Sequence, residues 1–139
     1  MEGRVIGIGG IFHVAKNPKQ LYAWYEKHLG LKATPYGFMF EKSDRPKDRG
    51  YLQFSMFENN DYMQPSTNAY MINFRVDNLE KLLSKLAASG IKPVKDPEEF
   101  DYGKFAHILD PEGNKIELWE PVDEVFQEYN KSHPVNSPD

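Results

Sequence analysis

The sequence predicts an α+β fold built from two copies of one strand–helix–strand–strand–strand unit. Three observations predict it. Two amphipathic helical segments of matching length each begin at a capping residue and end at a glycine. Each follows a run with strand periodicity, and each is followed by short, turn-bounded β segments. Asn17 and Asp77, Gln20 and Glu80, and Gly30 and Gly90 all stand 60 positions apart. The apolar faces fit better at 61, with Leu21 over Leu82 and Tyr25 over Leu86.

The elements follow in order. Val5–Val14 reads as a strand opened by Gly7, Gly9 and Gly10. Asn17-Pro18-Lys19-Gln20 starts the first helix: Asn17 accepts from free backbone N–H groups, Pro18 suits the first helical position, and Gln20 completes a capping box. Leu21, Trp24, Tyr25 and His28/Leu29 make its apolar stripe, and Gly30 stops it. Strands are expected around Leu31–Ala33, Gly37–Glu41 and Tyr51–Phe57, with Lys42–Gly50 as an exposed polar loop. Asn59–Thr67 joins the halves. In the second half, Ala69–Val76 is a strand and Asp77-Asn78-Leu79-Glu80 opens a helix striped by Leu79, Leu82, Leu83 and Leu86. Strands at Ile91–Val94, Gly103–Leu109 and Asn114–Trp119 follow, the last two joined by the turn Asp110–Gly113, where Gly113 supplies positive φ. Asp123–Tyr129 reads as a short helix and His133–Asp139 as a frayed tail. The expected organisation is one domain over 1–121, with modules at about 5–58 and 68–121, and a C-terminal helix and tail over 122–139.

Composition removes several function classes. With 139 residues there is material for one sizeable core. The balance of 17 Lys+Arg against 21 Asp+Glu lacks the clustered basic charge of a general nucleic-acid binder. No apolar run approaches the ~20 residues that span a bilayer, and no secretory h-region opens the chain. With no cysteine, disulfides, thiolate metal sites and a cysteine nucleophile are excluded, which fits a cytoplasmic protein. The Gly7–Gly10 cluster lacks the spacing of a dinucleotide fingerprint and is not followed directly by a helix.

Three segments carry a resemblance. Gly10–Leu31 (GIFHVAKNPKQLYAWYEKHLGL), Met71–Leu83 (MINFRVDNLEKLL) and Asp110–Pro121 (DPEGNKIELWEP) resemble the glyoxalase/bleomycin-resistance/dioxygenase family, the vicinal oxygen chelate superfamily. The resemblance runs from about Val5 to Pro121. It implies duplicated βαβββ modules whose curved mixed sheets enclose a cavity, with the helices outside, in a protein that commonly dimerises. Many members hold a divalent metal with one position from each first strand and one from each last strand. Chemistries in the family include glutathione hemithioacetal isomerisation, catechol cleavage, epimerisation and thiol addition, and some members only sequester a drug.

Counting along the family pattern puts those four positions at Gly10, Gln53 (with Ser55 as the alternative), Met71 and Glu117. Glycine offers no donor, a thioether is soft and an amide is weak, so this set does not hold a catalytic metal. No cofactor is expected. His13 has two readings. Strict alternation from Gly10 turns it toward the first helix, whereas the offset of 60 pairs it with Asn73 and turns it inward, as would a β-bulge near the glycines. The hairpin register leaves the facing of His107 open, and His28 and His133 read as surface residues. Met71, Asn73 and Arg75 share one strand face. Arg75 and Glu117 either neutralise one another or present a carboxylate-binding fork and a general base to a ligand. Trp119, Phe12 and Met71 form a wall suited to a flat or aliphatic molecule, although ordinary core packing is the plain alternative.

The expected function is therefore binding of a small organic ligand by Phe12, Gln53, Met71, Asn73, Arg75 and Trp119, with Glu117 as the one candidate catalytic group. The alternatives are a metal-dependent isomerase or lyase resembling lactoylglutathione lyase, a dioxygenase-family enzyme, or a subunit whose cavity is vestigial. The expected partners are a small-molecule ligand and a second copy in a homodimer, with neither nucleic acid nor membrane.

Overall fold

A computed structural model describes residues 2–29, 31–41, 51–110 and 112–136. In chain order the elements are β1 (Val5–Val14), α1 (Pro18–Leu29), β2 (Ala33–Thr34), β3 (Gly37–Phe40), β4 (Leu52–Phe57), β5 (Tyr70–Val76), α2 (Leu79–Ala88), β6 (Glu98–Phe100), β7 (Gly103–Leu109), β8 (Lys115–Pro121) and α3 (Asp123–Tyr129). A 3₁₀ turn, Asp61–Met63, lies in the connection between the modules. The expected loop at Lys42–Gly50, the stop at Gly30 and the end of the tail lie outside the described residues. So do the side chains of Trp24, Tyr25, His28 and Leu29.

The two modules share one continuous curved sheet in the order β2-β3-β4-β1-β5-β8-β7-β6. Within each module the last strand runs parallel to the first: β4 beside β1, and β8 beside β5. At the centre β1 and β5 meet antiparallel, as a two-fold relation between duplicated units requires. The outer face of each half packs on its helix. Leu82, Leu83 and Leu86 of α2 lie on Val76, Ala106, Ile108 and Leu118, while Leu21 and Tyr22 of α1 lie on Ala15, Phe38 and Met56. A third cluster, Phe12, Met63 and Met71, forms where the 3₁₀ turn folds over the centre of the sheet.

The caps settle the repeat. Asn17 Oδ1 accepts from the Gln20 amide at 3.1 Å, and Asn78 Oδ1 accepts from the Lys81 amide at 3.0 Å. The matching caps are thus Asn17 and Asn78, 61 positions apart, as the apolar faces indicate. Asp77 is not the second cap. Its carboxylate instead takes the Arg4 amide at 2.8 Å, tying the chain start to the end of β5. The strand expected at Ile91–Val94 is also absent, and the second strand of this module is Glu98–Phe100. Pro93 and Pro97 remove ladder donors on either side, leaving one contact, from the Val94 amide to the His107 carbonyl at 2.8 Å. Nor does the chain fray from His133. That ring stacks on Tyr129 at 3.7 Å, and Asn136 bonds Lys32 and Met39, clipping the C-terminal segment across to the first module.

Candidate functional site

Alternation along β8 decides what reaches the interior. Ile116 and Leu118 turn to α2, so Lys115, Glu117 and Trp119 share the concave face, and all three are buried. Glu117 lies beside Asn73 in the parallel β5–β8 register and opposite His107 in the antiparallel β7–β8 register. The hairpin therefore turns His107 inward. Apolar alternation carried this information: matching Ala106 and Ile108 with Leu118 and Ile116 leaves His107 against Glu117.

Three donors converge on that carboxylate. Asn73 Nδ2 donates to Oε1 at 2.7 Å, Tyr62 Oη donates to Oε2 at 2.5 Å, and His107 Nε2 lies 2.7 Å from Oε2. Glu117, Asn73 and His107 are each at most 2% exposed, so the Asn73 and His107 bonds are not shared with bulk water, while Tyr62 closes the site from its half-exposed side. Burial, then the charge of Glu117, pushes the Tyr62 hydroxyl above the ordinary tyrosine range, so it stays a proton donor at neutral pH. Tyr62 comes from the 3₁₀ turn, with Met63 beneath it as the buried anchor. Sequence reading passed over Tyr62 because its only signal is one aromatic in a polar connection. Lys115 donates to the Tyr62 carbonyl at 2.7 Å and lies 5.2 Å from its ring centre. Burial draws the Lys115 ammonium below the usual lysine range.

Arg75 goes elsewhere. It lies on the same face, one step along from Asn73, yet its Nη2 donates to both Asp123 carboxylate oxygens at 2.8 Å each. It also donates to the Tyr51 carbonyl at 3.0 Å and sits 5.4 Å over Trp119. The two sequence readings of an Arg75–Glu117 unit are thus replaced by an Arg75–Asp123 pair at the start of α3. A lone side chain in a segment read only as a short helix gave no sign of this.

Above these groups opens a cavity of about 1090 Å³. Phe12, Gln53, Asn73, Glu117 and Trp119 line it, together with aromatic side chains that include Tyr62, Phe105 and Phe126. Phe105 stacks on Trp119 at 5.8 Å, and Phe126 meets Trp119 edge-on at 5.3 Å. Met71 and Arg75 are not among the lining residues. Met71 is fully buried under Phe12 and Met63. Gln53 Nε2 is used structurally, donating to the Tyr36 carbonyl at 2.9 Å and to Ser55 Oγ at 3.1 Å.

The bulge near the glycines is real: the β1–β5 register shifts between Ile8 and Gly10. It precedes Gly10, so it leaves the parity of Phe12 and His13 intact. Phe12 faces inward, and His13 stacks on Phe54 at 5.8 Å in the layer under α1. The bulge also brings Gly9 onto the cavity lining. A Cβ there would stand 2.1 Å from Asn73 Oδ1 and 2.8 Å from Trp119 Cε3.

The family-model match covers residues 7–118. The chain belongs to the Glyoxalase/Bleomycin resistance protein/Dioxygenase superfamily. Solved structures share its architecture at low identity. Methylmalonyl-CoA epimerase from Mycobacterium tuberculosis gives a TM-score of 0.58 at 16% identity, covering 88% of this chain and 93% of that one. A variant of the Streptomyces coelicolor epimerase in complex with 2-nitronate-propionyl-CoA gives 0.61 at 14%, covering 86% and 99%. The NAD-dependent benzaldehyde dehydrogenase structure from Legionella pneumophila gives 0.54 at 15%, covering 81% and 97%. At these identities the likeness is one of fold. Comparison with curated proteins gives no match.

Many superfamily members bind a divalent metal, which needs several converging donors. Gly10 contributes none, Met71 is packed in the core, and Gln53 is held by the Tyr36 turn. Glu117 has His107 as its neighbour, and among the described residues no third His, Asp or Glu joins them to form a cluster able to hold an ion. A Zn²⁺-type site wants at least three such ligands. The donors do not fit a chelated metal.

Proposed function

We propose that this superfamily member binds a small organic ligand in its cavity without a catalytic metal. One observation carries the reading: a buried carboxylate, held by Asn73, Tyr62 and His107, lies at an aromatic-walled cavity with no third chelating side chain beside it among the described residues. Ligand sites are typically concave and apolar with a few fixed polar groups, and Glu117 with its donors is such a group. Phe12 and Trp119 offer flat surfaces to the ligand, and Asn73 and Gln53 stand at the cavity edge of their strands. Among the described residues, the ligand set that a metal-dependent reaction like that of lactoylglutathione lyase would need is not assembled.

A second reading, an isomerase or lyase using Glu117 as base, has one support. His107 lies 2.7 Å from Glu117 Oε2 and can share a proton with it. We also take the protein to be a cytoplasmic homodimer. The supports are the absence of cysteine and an exposed apolar strip of Val5, Ile6, Ile8, Ile11 and Tyr70 along β1 and β5. Among the described residues, no helix is long and apolar enough to cross a membrane.

The binding reading is tested by thermal-shift screening of tag-free protein against aromatic and aliphatic compounds, with and without EDTA. Stabilisation by organic compounds that ignores EDTA is expected. Stabilisation that needs one equivalent of Zn²⁺ or Ni²⁺ and vanishes with EDTA would overturn it.

A further inference from the structure

This inference rests on the binding reading and deepens it by assigning the ligand's charge. Beside Glu117, the lining polar atoms left for a ligand are acceptors, while farther along the wall the Tyr129 hydroxyl also lacks a partner among the described residues. Glu117 Oε1 takes one hydrogen bond, from Asn73, which leaves it capacity for another. Asn73 is 1% exposed, and its Oδ1 has no hydrogen-bond partner among the described residues. A buried carbonyl without a partner is costly, so it marks a position where a donor belongs. Gly9 lets that carbonyl pack close against the β1 backbone, because a Cβ there would stand 2.1 Å from it.

Charge points the same way. Among the described lining residues, Glu26, Glu58 and Glu117 face a single cation, Lys19. Of the buried cations nearby, Arg75 is paired with Asp123, and Lys115, which donates to the Tyr62 carbonyl and does not line the cavity, offsets only part of the charge of Glu117. Carboxylates around a low-dielectric cleft focus a negative potential inside it. Aromatic faces reinforce this, because ring quadrupoles attract cations and repel anions.

We propose that the cavity takes an organic cation, a protonated amine on an aromatic or aliphatic frame, with its nitrogen lodged between Glu117 and Asn73 and its frame against Phe12 and Trp119. A carboxylate- or phosphate-bearing ligand meets like charge here. That sets this chain apart from the structural neighbours whose complexes hold a CoA ester.

Three isosteric probes test it by isothermal titration calorimetry: 1-naphthylmethylamine, 1-naphthalenemethanol and 1-naphthoate. The amine is expected to bind at least about tenfold more tightly than the alcohol, with the carboxylate weakest. In Glu117→Gln the advantage of the amine collapses while the alcohol binds as before. The exposed double variant Glu26→Gln/Glu58→Gln leaves the core untouched and is expected to weaken the amine by about twofold to threefold, more at low salt. Equal affinity for amine and alcohol, or tighter binding of naphthoate, overturns the charge assignment while leaving small-molecule binding standing. Failure of all three probes to bind overturns the binding reading and this inference with it.

Discussion

Replacing Glu117 with leucine removes the acceptor for three donors at once. Tyr62 is 38% exposed, so its hydroxyl can turn to water and loses little. Asn73 Nδ2 and His107 Nε2 cannot, since each residue is 1% exposed and bonded to Glu117 at 2.7 Å. Orphaning a buried donor costs about 1–3 kcal/mol, so two cost about 4 kcal/mol in the middle of that range. Glutamine at the same position keeps an oxygen for Asn73 and presents an N–H₂ that His107, in its other tautomer, can accept. What Glu117→Gln loses is the charge assistance, about 1 kcal/mol for each of two bonds. The leucine variant should therefore be about 2 kcal/mol less stable than the glutamine variant. In a domain of this size that is a gap of roughly 6 °C in Tm, with leucine about 12 °C below the parent. Urea denaturation followed by circular dichroism measures both, with matching m-values as the check on two-state behaviour. A leucine variant as stable as the parent would refute the reasoning, because it would mean that His107 and Asn73 do not depend on Glu117.

Further outcomes follow from the same geometry. The Tyr62 hydroxyl titrates above its ordinary value of 10.0, so its contribution is complete below that pH and is lost as pH rises beyond it. Stability measured from pH 8 upward should fall more steeply in the parent than in Tyr62→Phe, and equal slopes would contradict the Tyr62–Glu117 bond. Asn78→Ala should cost about 1 kcal/mol by urea denaturation through loss of the α2 cap; no loss would return the cap to Asp77. Gly9→Ala forces a Cβ against Asn73 Oδ1 and Trp119, and about 1–3 kcal/mol of destabilisation is expected. A neutral result there would show that the bulge relaxes freely.

Much of the fold was legible because it repeats. Leu21 over Leu82 fixed the offset, and the true caps, Asn17 and Asn78, obey it. Asp77 misled because aspartate is as good a cap as asparagine, and only the long-range bond to the Arg4 amide shows its other use. Proline at 93 and 97 was the available warning that Ile91–Val94 could not sustain a ladder. At the site, the family position of Glu117 indicated which face is the cavity and alternation told which residues share a face, and Phe12, Asn73, Glu117 and Trp119 line the cavity. Partner choice was not legible. Arg75 binds Asp123 and Glu117 binds Tyr62, contacts 48 and 55 positions apart that no local pattern encodes. Met71 has the right parity for the cavity but is capped by Met63 from a connection whose path the sequence leaves open.

The central claim is that the cavity holds an organic molecule against Glu117 and coordinates no metal ion. Native mass spectrometry of tag-free protein tests it most directly. The bare chain mass, with or without a small organic adduct, is the expected result. One divalent ion retained per chain, and stripped only by chelator, would contradict it.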